Sequence, residues 1–150
     1  LQCRGLVVDA TMSALRFHAR CYYRDGESSA PQERPALLAA ITDLDGRITG
    51  VHRTWLDALG RDKAPIACPR RALGHLLGHG VRFGTSGPVL VVGEGLETVL
   101  SLRAVMRNVP MLAALSAAHL GAAQLPSNLQ RIYVARDRDA AGRWAFERLA

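Results

Sequence analysis

Three acidic residues stand where short apolar runs end. Residues 89–92 (Val-Leu-Val-Val) close on Gly93-Glu94-Gly95, and residues 131–135 close on Arg136-Asp137-Arg138-Asp139. Carboxylates supply hard oxygen ligands, and a cluster of them without His or Cys suits Mg²⁺ or Mn²⁺. The glycines beside them permit sharp turns and close backbone approach. Gly142, three residues after Asp139, lets a following helix start near a bound anion. An isolated acid at a strand end is usually a helix cap or a solvated loop. The specific signal is the whole series: apolar strand, Gly-Glu-Gly, second strand, third strand, then Asp-x-Asp-x-Ala-Gly.

Such acids converge only if the chain brings the strand ends together. After Pro88, residues 89–92 read as a strand buried on both faces. Leu96, Val99, Leu100 and Val105 follow at the spacing of one helix face, and Asn108 and Pro110 stop that helix. Residues 111–115 read as a second buried strand. Ser116 is a plausible N-cap for a helix through Leu125. Residues 131–135 are a third strand, and residues 140–149 a last helix. Alternating strands and helices imply a parallel sheet with right-handed crossovers. In such a sheet ligands bind beyond the carboxyl ends of the strands, which is where Glu94, Asp137 and Asp139 fall.

The first half reads differently. Residues 11–20 suggest a short helix, and residues 25–35, with two prolines and Gly26, suggest a linker or long loop. Residues 36–42 and 47–55 read as strands joined by the turn signal Asp45-Gly46. Residues 57–69 read as a loop with a basic edge, and Gly74, Gly78 and Gly80 break any helix near residues 71–77. The expected organisation is an N-terminal flank over residues 1–35, a small basic β-containing subdomain over 36–87, and an α/β domain over 88–150.

Composition narrows the partners. The chain has 150 residues, 49% of them hydrophobic, and a net charge of +6. That is enough apolar material for a real core, and the charge suggests a polyanion. Residues 46–84 hold seven Arg or Lys against two acids, so this segment is the best candidate for a phosphate-facing surface. Arginine supplies nearly all the positive charge, and Lys63 is the one lysine. A planar guanidinium bonds two phosphate oxygens at once, although a GC-biased genome also enriches arginine. Cys3, Cys21 and Cys68 form no CxxC or CxxH pair, so neither a zinc site nor a disulfide framework is indicated. Their odd number fits a reducing cytoplasm. No apolar run reaches the length of a membrane span. The chain starts without methionine and stops in a helix-like stretch, so a fragment of something larger is expected.

At this point the residues resemble a known family. Residues 91–99 (VVGEGLETV) and 135–142 (ARDRDAAG) are similar to the two signature motifs of the Toprim domain. Residues 43–55 (DLDGRITGVHRTW), Lys63-Ala64-Pro65 and residues 69–74 (PRRALG) resemble the basic subdomain that precedes Toprim in primase catalytic cores. The resemblance, to Toprim primases of plasmids, phages and mobile elements, spans residues 36–150. It implies a Rossmann-like parallel sheet with flanking helices. It also implies a metal-dependent nucleotidyltransferase that makes RNA primers on single-stranded DNA from nucleoside triphosphates, with a fused or associated helicase as a further partner. Glu94 then corresponds to the family's glutamate, a metal ligand or general acid/base. Asp137 and Asp139 correspond to the metal-binding pair, and Gly95 and Gly142 to the motif glycines. Arg53, Lys63, Arg70 and Arg71 would hold template or nucleotide phosphates, as contacts that position without reading sequence. Where many bacterial primases carry an aspartate after the glutamate motif, this chain has Thr98, with Glu97 beside it.

Other signals are weaker. His75 and His79 are four apart, as metal-binding histidines on a helix can be, but no Glu follows His75 and the region is glycine-rich. His52 lies in the basic hairpin, where a phosphate contact is conceivable, and His119 is isolated. Trp55 and Trp144 have the chemistry to stack on bases, yet a lone tryptophan near an apolar stretch is more often core. Competing readings are a Toprim nuclease or topoisomerase fragment, for which Tyr22, Tyr23 and Tyr133 lack a recognisable setting, and a non-catalytic nucleic-acid-binding module of a primase-helicase.

Overall fold

Two four-stranded sheets, one wholly antiparallel and one mostly parallel, carry the chain. The computed structural model describes residues 12–27, 29–136 and 139–149. The first sheet is a meander of β1 (Leu15–Tyr23), β2 (Gln32–Thr42), β3 (Ile48–Trp55) and β4 (Arg70–Gly74), in that order. The helix expected over residues 11–20 is instead β1. Phe17, Tyr22 and Tyr23 favour a pleated surface, and β1 finds a partner in β2, with Leu15 opposite Ala39 and Tyr23 opposite Gln32. A register shift between His18 and Cys21 disturbs the alternation that would have betrayed the strand. The stretch read as a loop over 25–35 is only partly one, because β2 starts at Gln32.

The Asp45-Gly46 turn forms as expected. Gly46 has φ of 79°, and the Asp43 carboxylate accepts the Arg47 N–H at 2.9 Å. β4 occupies the segment where glycines were expected to break a helix. It runs close to β3: a Cβ on Gly74 would lie 2.6 Å from the Gly50 Cα, and Gly74 itself has φ of +113°. Only glycine fits that approach.

The second sheet contains β5 (Val81–Phe83), β6 (Val89–Gly93), β7 (Met111–Ala113) and β8 (Arg131–Ala135), in the order β5-β7-β6-β8. The three strands legible in the sequence, β6, β7 and β8, are mutually parallel. β5 adds an antiparallel edge, and its three residues are too few to show a period. Three helices complete the unit: α1 (Leu96–Val105), the single turn α2 (Ala117–Leu120) and α3 (Ala140–Leu149). Ser116 caps α2 as expected, its hydroxyl accepting the His119 N–H. The helix stops at Gly121 rather than Leu125, because the next turns are tighter, with Ala122 N–H reaching the His119 carbonyl.

The helices cover opposite faces of the second sheet. Leu96, Val99 and Leu100 of α1 pack with Val91, Met111 and Ala113. Leu120 and Ala145, of α2 and α3, pack with Leu90, Val92 and Leu112. Leu15, Ala39 and Ile41 of the first sheet join the α1-side core, together with Val81 and Phe83. The Thr42 N–H also donates to the Gly80 carbonyl at 3.0 Å. The two sheets therefore share one core. Among the described residues no helix is long and apolar enough to cross a membrane.

Candidate active site at the strand ends

The chain runs from β6 to β7 on one side of β6, then returns to place β8 on the other side. The strand order therefore reverses between β6 and β8, and the crevice beyond their carboxyl ends is where such sheets bind ligands. Gly93 and Ala135 are paired in register, so Glu94 and Arg136 are the next residues on adjacent strands. The tight passage from β6 into α1 requires Gly93, since a Cβ there would meet Val99 Cγ2 at 2.9 Å. Glu94 is half-buried, and its Oε1 is shielded from solvent.

Asp139 has a second role. Its Oδ1 accepts the Gly142 N–H at 2.7 Å, which makes it the N-cap of α3. Gly142 is buried in that first turn. Asp137 lies outside the described residues. Among the described residues no three His, Cys, Asp or Glu side chains form a cluster. The donors that the fold brings to this edge, Glu94 and Asp139, are all hard oxygens, and one oxygen of Glu94 is already desolvated. That chemistry fits a hard divalent cation.

Next to the strand ends a cleft of ≈ 520 Å³ opens between the two sheets. One side is the β6–α1 elbow, through Gly95, Leu96 and Glu97; the other is the face of the first sheet that carries Leu15, Leu37, His52 and Thr54. Arg61, Lys63 and Arg70 supply positive charge at its wall. The His52 imidazole is pushed below the ordinary histidine range by burial first and by Arg70 and Arg53, with Glu97 opposing. It is therefore uncharged at neutral pH and does not act as a phosphate-binding cation.

The four basic residues expected to hold phosphate are divided. Lys63 and Arg70 line the cleft. Arg53 and Arg71 do not, because successive strand residues point to opposite faces and Arg53 lies between His52 and Thr54. Arg53 is opposite Arg71 across the β3–β4 ladder. The Arg53 guanidinium lies 5.0 Å from the Trp55 ring centroid and that of Arg71 4.9 Å from the Tyr23 ring. Arg71 also donates to the Arg24 carbonyl at 2.7 Å. Trp55 is core, as 1% exposure shows. His79 is held by Thr49 Oγ1 at 2.8 Å, a structural contact. His52, Arg61, Glu97 and Leu115 were missed as cleft residues. Alternation along β3 could have assigned His52 a face, but nothing local marks the others.

Two family models match the chain. Residues 1–83 match one described as a domain of unknown function, DUF7146. Residues 89–150 match the Toprim domain. No curated protein matches. Among solved structures the chain is similar to the crystal structure of the primase fragment of the bacteriophage T7 primase-helicase protein. The TM-score is 0.54 at 21% identity, over 78% of this chain and 48% of that one. The chain thus spans about half the length of that fragment, and at this identity the likeness is one of fold.

Proposed function

We propose a function from one premise: this chain belongs to the family of the domain of unknown function DUF7146, and it is a Toprim primase-like protein. The function is that of a primase-type nucleotidyltransferase core, synthesising RNA primers on single-stranded DNA for a plasmid, phage or mobile element. The observation that carries it is Glu94 at the reversal of strand order, beside a cleft walled by Arg61, Lys63 and Arg70. We place the Toprim unit at residues 88–150 and the basic β unit before it.

In this reading Glu94, Asp137 and Asp139 would hold Mg²⁺ or Mn²⁺. A bound divalent cation supplies charge neutralisation at the phosphate oxygens of the nucleotide. Glu94 also accepts the proton that the 3′-hydroxyl gives up as its oxygen attacks the α-phosphate, while the bond between the α-phosphorus and the bridging oxygen to the β-phosphate breaks and pyrophosphate leaves. Arg61, Lys63 and Arg70 hold phosphate oxygens by charge-assisted hydrogen bonds. The elbow at Gly95 and the wall at Leu96 exclude water from one side of the cleft. The template is bound through its backbone, so affinity falls as salt rises. A helicase, fused or separate, is the partner that this activity would serve.

The test is primer synthesis on single-stranded DNA with labelled ribonucleotides and Mg²⁺, using the full-length protein. Wild type should give short RNA products, and Glu94→Gln and Asp137→Asn should each reduce them by about 100-fold or more, the scale on which transition-state charge stabilisation acts. DNA cleavage that depends on Glu94, without primers, would establish a Toprim nuclease instead. DNA binding with neither activity would establish a binding module.

A further inference from the structure

A leucine in the left-handed region stands where the cleft meets the strand ends. Leu115, two residues beyond β7, has φ of 77° and is the one non-glycine with positive φ among the described residues. A bulky L-residue avoids that region. Two hydrogen bonds hold it there: Leu115 N–H donates to the Glu94 carbonyl at 2.7 Å, and Ala114 N–H to the Gly93 carbonyl at 2.9 Å. Its side chain packs on the α1-side core and lines the cleft. Backbone strain of this kind persists only where the surroundings over-determine it, and it concentrates at ligand sites.

The cleft around Leu115 is divided by chemistry. Phe17, Leu37 and Leu115 present apolar surface, and Phe17 is 67% exposed, so its ring is not committed to the core. His52, in the same wall, is uncharged near neutral pH because burial and Arg70 disfavour its proton. Positive charge is supplied by Arg61, Lys63 and Arg70 and, beside Phe17, by Arg16, whose guanidinium donates to the Leu15 carbonyl at 2.7 Å; Asp62 and Glu97 also line the wall. The volume of ≈ 520 Å³ falls in the range of sites that enclose a small ligand. A ligand that matches this division has a flat, weakly polar group at one end and several negative charges at the other.

We propose that the wall formed by Phe17 and Leu115 receives the nucleobase of the substrate nucleotide, while Arg61, Lys63 and Arg70 take its phosphates. This deepens the function proposed above and rests on its nucleotide-binding part. An aromatic ring stacks on any base through its π-face, so the wall grips a nucleotide without choosing among bases.

The experiment compares ATP with inorganic tripolyphosphate, each titrated calorimetrically with Mg²⁺ into the full-length protein. ATP should bind about tenfold more tightly, the scale of one base–aromatic stack. Phe17→Ala and Leu115→Gly should each remove most of that advantage and leave tripolyphosphate binding within about twofold of wild type. Both variants suit their positions, since Phe17 is exposed and glycine accepts the φ of Leu115. Equal affinities for the two probes, or variants that weaken both alike, would overturn the base site and leave the phosphate reading intact. No binding of either probe would overturn both.

Discussion

Asp139 serves two masters in the proposed function, and single substitutions can separate them. Its carboxylate caps α3 through the Gly142 N–H, and it is one of the oxygens offered to a divalent cation. Asparagine caps nearly as well as aspartate, whereas alanine does not. Asp139→Ala should lower stability to denaturant by about 1 kcal/mol. Asp139→Asn should keep the wild-type stability but cut primer synthesis about 100-fold, because a neutral amide is a poor ligand for Mg²⁺. If the asparagine variant primes as well as wild type, Asp139 is a cap alone and the cation must be held by other residues. At the other strand end, Gly95 rather than Glu94 is the N-cap of α1.

At the scale of elements, β3 divides the basic residues between two faces. Arg70 and Lys63 reach the cleft, whereas Arg53 and Arg71 brace Trp55 and Tyr23. Each phosphate contact contributes about one counterion to the salt dependence of DNA binding. Lys63→Ala and Arg70→Ala should therefore each reduce the slope of log K against log salt by about 0.7, the single-strand value. Arg53→Ala and Arg71→Ala should leave the slope unchanged and instead cost about 1 kcal/mol of stability, the scale of a partly buried cation–π contact. A slope change in the Arg53 variant would put the template on the outer face of the sheet. The same element shows what was legible in advance. The parallel strands, α1 and α3 followed from apolar runs and glycine punctuation. β1 was misread because a bulge disturbs its alternation, and β5 was missed because three residues carry no period. The split of the arginines was hidden for another reason: charge along the sequence does not record which face of a strand points inward. The cleft residue Leu115 left no sequence trace, since its meaning is in a backbone angle set by its hydrogen bond to Glu94.

At the scale of the whole molecule, the cleft has two walls from two sheets, so its shape depends on how firmly they are joined. Leu15, Ala39 and Ile41 of the first sheet share a core with Val81, Phe83 and α1, and Ile41 is fully buried. A shared core of this kind makes the sheets unfold together, in the manner of a single cooperative domain. Two probes distinguish them. The buried Trp55 belongs to the first sheet, whereas every helix among the described residues belongs to the second unit. In a Trp144→Phe background, Trp55 fluorescence and helical ellipticity should give coincident denaturation midpoints. Ile41→Val should destabilise by about 1 kcal/mol and shift both midpoints equally, although Ile41 is not in the helical unit. If only the fluorescence midpoint moves, the sheets are thermodynamically separate. The cleft would then be a hinge that substrate closes, rather than a walled site built into the folded chain.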